Sequence, residues 1–118
     1  MKALAAAVGV VALLSGCGGS TPQPAGSIKV LMNEFKFDPA TISAPSGKVV
    51  FYLVNGGSVS HDFVIRDSAN NRIKSSELVS AGDSVVFTVD TIPAGTYTIF
   101  CDQSGHEASG MKGTLTIS

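Results

Sequence analysis

The sequence predicts an all-β domain: a Greek-key sandwich of two sheets with about seven to eight strands. Three observations predict it. Runs rich in Val, Ile, Phe, Tyr and Thr recur at short intervals, and these residue types fit a pleated, half-buried surface. Gly, Pro, Asn and Asp punctuate the runs at turn-length intervals. Beyond the N-terminal leader, no stretch carries the 3.6-residue apolar period of an amphipathic helix.

The strands are expected in order at residues 28–32, 41–44, 49–54, 62–66, 84–89, 96–101 and 113–117. Pro45-Ser46-Gly47 turns the chain into the third. Asn55-Gly56-Gly57 ends it, and Asn70-Asn71, Ala81-Gly82-Asp83 and Pro93-Ala94-Gly95 separate the later ones. Residues 71–79 show no clean alternation and are expected to be irregular. A sandwich of this kind also suits an adhesion module, so the fold class alone does not assign a function.

The chain is 118 residues long, and not all of it is expected to fold. Lys2 is the only charge in residues 1–14, and residues 3–14 form an apolar run. A run of about a dozen residues suits the core of an export signal and is too short for a mature membrane span. Leu14-Ser15-Gly16-Cys17 follows directly and resembles the lipobox of bacterial lipoproteins. That resemblance implies cleavage before Cys17 and a diacylglycerol on its thiol; plain secretion is the alternative. Residues 18–26, GGSTPQPAG, have no apolar anchor and are expected to be a tether, with a reach of about 30 Å when extended. The expected organisation is therefore a signal at 1–16, a lipidated Cys17 and tether at 17–26, and one domain at 27–118, enough for one small core.

Charge narrows the partners. One of the 8 basic residues, Lys2, lies in the leader, so 7 face 9 acidic ones, a net charge of −2. There is no basic stripe, and nucleic-acid binding is not expected. Membrane attachment is expected only through the lipid anchor.

The chemistry is concentrated in few residues. The chain has two histidines and two cysteines, and one of those cysteines is the lipid candidate. Cys101, His106 and Met111 follow a C-x4-H-x4-M spacing between two expected strands, and His61 opens an earlier one. A sandwich gathers strand ends at its poles, so all four side chains can meet there. Two imidazoles, a thiolate and a weak thioether suit both oxidation states of copper. Zinc also accepts a Cys-His-His set, but a thioether is a poor zinc ligand. A Cys17–Cys101 disulfide would consume the thiolate.

These residues sit in a wider pattern. Phe37-x-Pro39-x-x-Ile42, Gly47, Val49 and Leu53 lead to His61-Asp62-Phe63; Gly95-x-Tyr97 leads to the Cys101–Met111 loop and Gly113-Thr114-Leu115. The chain from Ile28 onward resembles the cupredoxins, the small blue copper proteins of the plastocyanin and azurin type. The resemblance implies one type 1 copper ion, with His61, Cys101 and His106 as strong ligands and Met111 as the axial one. It implies an electron carrier rather than an enzyme, a monomer that serves redox proteins on the exported side of a membrane. No histidine is left for the further copper sites of multicopper oxidases or nitrite reductases. A copper-buffering or delivery module and a metal-free structural sandwich are the alternatives.

The surroundings of the ligands carry further expectations. The resemblance places neutral partners where Asp62 and Asp102 stand, and two carboxylates in contact would repel or share a proton. The Cys101 sulfur is expected to accept N–H bonds from Asp62 and Gln103. Gly105, Ala108 and Gly110 leave room for a partner to approach His106, and Asp102 and Glu107 could favour a basic one.

Overall fold

The structure is a computed structural model and describes residues 21–118. The leader and Cys17 lie outside the described residues. Nine strands form there: β1 (Ile28–Asn33), β2 (Lys36–Asp38), β3 (Thr41–Ala44), β4 (Gly47–Asn55), β5 (Val64–Arg66), β6 (Arg72–Ser75), β7 (Ser84–Ile92), β8 (Gly95–Phe100) and β9 (Lys112–Ile117). One sheet has the order β2-β1-β4-β7 and the other β3-β9-β8-β5-β6. β1 runs parallel to β4 and β3 parallel to β9, while the remaining pairs are antiparallel. The chain thus crosses between sheets before and after β3, as a Greek-key sandwich requires. No helix occurs among the described residues.

Alternation builds the core. In β4, Val49, Phe51, Leu53 and Asn55 point inward while Val50, Tyr52 and Val54 stay half-buried. This period-2 pattern turns one face of the sheet toward its partner. Phe63 sits in the middle, with ring centroids 5.3 Å from Phe37, 4.9 Å from Phe51 and 5.9 Å from Phe87. Burying each such ring contributes roughly 1.5–3 kcal/mol.

Nine strands are one more than the upper expectation of eight, and two of them, β2 and β6, fall outside the seven positions placed from the sequence. β2 is three residues long with only Phe37 buried, too short to show a period. β6 lies in the stretch expected to be irregular, and all four of its residues are exposed. As a sheet edge it carries no buried face, and Arg72 and Lys74 provide the charge that guards such edges. Before β1, the end of the stretch expected to be a tether makes specific contacts. The Thr21 N–H donates to Ser84 Oγ at 3.0 Å, and the Tyr52 hydroxyl donates to the Thr21 carbonyl at 2.5 Å. Backbone polar groups, not apolar side chains, make this attachment.

Candidate metal centre

One pole of the sandwich gathers the expected site. β4 ends at Asn55, whose buried side chain organises the loop that follows. Its Nδ2 donates to the carbonyls of Val59 (2.8 Å) and Val79 (2.9 Å), and its Oδ1 accepts the Gly57 N–H (2.9 Å). His61 is then fixed by a two-way backbone bridge: its N–H donates to the Val79 carbonyl at 3.1 Å and its carbonyl accepts the Val79 N–H at 2.8 Å. Its side chain has no solvent exposure.

The second loop of the candidate site starts where β8 ends. The Cys101 N–H donates to the Met111 carbonyl (3.1 Å), and the Met111 N–H donates to the His106 carbonyl (3.0 Å). The loop between curls on itself through Gly105 and Gly110, whose φ values of 79° and 109° suit glycine. Cys101, His106 and Met111 are thereby tied to one another by backbone bonds, and Met111 is buried beside them.

The donor atoms converge. His61 Nδ1 lies 3.2 Å from His106 Nδ1, and Cys101 Sγ lies 3.9 Å and 3.4 Å from these two nitrogens. A triangle with these sides has its centre about 2 Å from every corner, close to the roughly 2.0–2.1 Å and 2.3 Å that zinc makes to imidazole and thiolate. The three side chains form a cluster able to hold one metal ion, and two imidazoles with a thiolate are a donor set that copper takes readily. Without a metal, burial pushes the Cys101 thiol above its usual range, while the backbone N–H groups of Asp62 and Gln103 pull it back. Both of these N–H contacts were expected from the sequence.

Of the arrangements open to Asp62 and Asp102, the carboxylates neither repel nor share a proton. Asp62 and Asp102 do meet, but not carboxylate to carboxylate. Asp62 Oδ1 accepts the Asp102 backbone N–H at 2.7 Å, joining the loop that carries His61 to the one that carries Cys101. The Asp102 carboxylate turns away into a two-pronged pair with Arg72, at 3.0 and 2.8 Å. The Arg72 guanidinium holds Asp102 below the usual carboxylate range. Glu107 is likewise paired with both guanidinium nitrogens of Arg66, one at 3.0 Å. Arg66 and Arg72 in turn lie 4.3 and 5.4 Å from the centre of the Phe100 ring, within cation–π range. The two acids expected to attract a basic partner are therefore neutralised within the domain. Replacing Asp62 with Ala leaves the Asp102 N–H without its acceptor and should cost about 1–3 kcal/mol. Asp62→Asn retains an acceptor oxygen and should cost much less. Chemical denaturation of both variants checks this.

Three residues near the site, Asn55, Glu34 and Phe35, are not legible in the sequence as parts of it. Asn55 reads there only as part of a turn. Glu34, in the turn between β1 and β2, places Oε1 3.1 Å from His61 Nε2, 2.8 Å from the Ser58 N and 3.1 Å from the Val59 N. The two backbone N–H groups hold Glu34 below the usual carboxylate range. The sequence carries no local signal for this, since 27 residues separate Glu34 from His61. Next to Glu34, Phe35 meets His106 edge-on, with ring centroids 4.9 Å apart.

A Greek-key sandwich with two imidazoles and a thiol converging at one pole defines a class: small β proteins with a single soft-metal centre. Within that class the family is clear. The chain belongs to the cupredoxin-like family, whose domain model matches residues 4–117. It is 34% identical over 88 residues to plastocyanin of Scenedesmus fuscus, covering 69% of this chain and 85% of that protein. It is 29% identical over 108 residues to the copper-resistant cuproprotein CopI of Rubrivivax gelatinosus, covering 77% of this chain and 66% of CopI. Among solved structures, auracyanin A, a "blue" copper protein from Chloroflexus aurantiacus, superposes with a TM-score of 0.70 at 22% identity, covering 85% of this chain and 100% of that one.

Proposed function

We propose that this domain relays single electrons through one copper ion that His61 Nδ1, Cys101 Sγ and His106 Nδ1 would hold, with the Met111 thioether as a weaker fourth donor. The observation that carries the reading is the convergence of the three donor atoms at spacings of 3.2 to 3.9 Å. Bound copper would supply a one-electron couple. The chain's own part is to hold the donors rigid, so that little rearranges when the charge changes. His61 is sealed in the core. His106 is partly exposed and flanked by Phe35, which is 40% exposed, so His106 is the natural exit for the electron. Redox proteins are its partners, and it acts as a monomeric carrier rather than an enzyme. The apolar leader and the Leu14–Cys17 motif support export and attachment through a lipid on Cys17, on the outer side of a membrane.

The first test is addition of Cu(II) to the purified protein. An intense blue absorption that bleaches with ascorbate and returns on reoxidation is expected; a colourless product overturns the reading. Copper buffering is the second reading, favoured by the similarity to CopI. Slow electron self-exchange in the blue protein, measured by NMR line broadening, would select it.

Burial makes a sharper expectation. His106→Gly opens a cavity that reaches solvent, so added imidazole should restore the blue absorption. His61→Gly leaves a sealed cavity, and imidazole should fail to restore it. Visible absorption during an imidazole titration of both variants checks the difference.

A further inference from the structure

We propose that Glu34 is a positioning residue for the metal centre: its carboxylate fixes His61 with the proton on Nε2 and the Nδ1 lone pair free for the metal, and its charge favours the more highly charged metal state. The inference deepens the electron-relay reading and rests on it for the redox part.

The geometry is specific. Glu34 Oε1 faces three nitrogens at once: the backbone N–H groups of Ser58 and Val59 and the His61 ring Nε2. An ionised carboxylate only accepts hydrogen bonds, so the His61 nitrogen facing it must carry the proton. The other ring nitrogen is then the one left to bind metal, and it is Nδ1 that lies 3.9 Å from Cys101 Sγ. An outer carboxylate that orients a ligating imidazole also makes it a stronger donor.

The surrounding chain is shaped to admit this group. A Cβ on Gly57 would lie 2.2 Å from Glu34 Oε1, and one on Gly56 would lie 2.9 Å from Asn33 Oδ1 and 3.0 Å from Leu31 Cδ1. The Gly56-Gly57 pair, which reads in sequence as an ordinary turn, lets the β1–β2 turn close onto the loop that leads to His61. The Glu34 side chain is 31% exposed while His61 is fully covered. A partly exposed charge is thus linked to the metal-facing ring by a single hydrogen bond. With a copper ion held at the site, the Glu34 carboxylate would attract the more highly charged state of its one-electron couple more strongly than the less charged one.

The test compares wild type, Glu34→Gln and Glu34→Ala, using the whole chain. Glu34→Gln keeps the shape and an acceptor oxygen but removes the charge. Its ratio of Cu(II) to Cu(I) affinity should fall on the order of tenfold, which raises the reduction potential by about 59 mV. Spectroelectrochemical titration reads this directly. A folded Glu34→Gln protein with an unchanged potential overturns the proposal, even if its melting temperature falls. In the metal-free protein, ring 15N shifts should show His61 protonated at Nε2 in wild type and a mixture of tautomers in Glu34→Ala. An unchanged tautomer in Glu34→Ala overturns the positioning role. This second measurement needs no copper, so it separates failure of the Glu34 role from failure of the electron-relay reading. Should Glu34→Ala not fold, Gly57→Ala displaces the same carboxylate and should shift the tautomer in the same direction.

Discussion

Replacing Cys101 with serine should abolish the blue absorption entirely and weaken copper binding by at least about 100-fold. The reasoning starts from the donor atom. A thiolate is soft and readily oxidised, and it is the group whose electrons give the copper centre both its colour and its covalent path. A serine hydroxyl is harder, holds its proton at neutral pH, and offers neither. The site has no substitute: Cys101 is the one cysteine among the described residues, and it is almost fully buried, so no external thiol can take its place. The fold should survive, because the change is nearly isosteric and the N–H groups of Asp62 and Gln103 that point at the sulfur can meet an oxygen instead. Visible spectroscopy and a competitive copper titration read the site, and far-UV circular dichroism confirms the sandwich. A variant that remains blue would show that the thiolate is not a ligand.

Replacing Phe63 with alanine should cost about 3–5 kcal/mol, a large share of the roughly 5–15 kcal/mol by which such domains are stable. Phe63 has no solvent exposure and, from just before β5 of one sheet, packs against three aromatic rings of the other: Phe37 of β2, Phe51 of β4 and Phe87 of β7. Its removal leaves a cavity where the sheets meet, and these strands are too constrained by their ladders to collapse into it. For a domain of this size, the melting temperature should fall by at least about 12 °C. Phe63 also lies two residues from His61, and its N–H donates to Ser76 Oγ. The loss of packing should therefore loosen the His61 side of the site and broaden the blue absorption. Thermal unfolding of the metal-free and copper-loaded proteins checks both effects. A loss below about 1 kcal/mol would mean that the sheets repack around the gap.

Much of this molecule is written in its local sequence. Strand existence follows from β-branched and aromatic runs between turn residues, and all seven expected strands form with ends shifted by a few residues. Asp62 and Phe63 precede β5, and Cys101 stands just beyond β8. The two missed strands lacked the signal that reveals a strand, a buried alternating face. The candidate ligands were legible because histidine and cysteine are scarce here and Cys101, His106 and Met111 share one loop. The two backbone N–H contacts to the Cys101 sulfur were also legible, because they follow from the residues next to the ligands.

The sequence by itself therefore determined the kind of fold, the residue types of the candidate metal centre and the meeting of one upstream histidine with one downstream loop. Only the tertiary structure decided how charge is arranged around that centre. It turned Asp62 onto a backbone N–H, drew Asp102 and Glu107 to Arg72 and Arg66, and set Glu34 against His61. Those contacts join residues 27 to 41 positions apart. Alternation and turn chemistry are properties of neighbours along the chain. Which carboxylate meets which donor depends instead on sheet order, strand register and the close approach of two loops at Gly57, and these exist only once the sheets have packed.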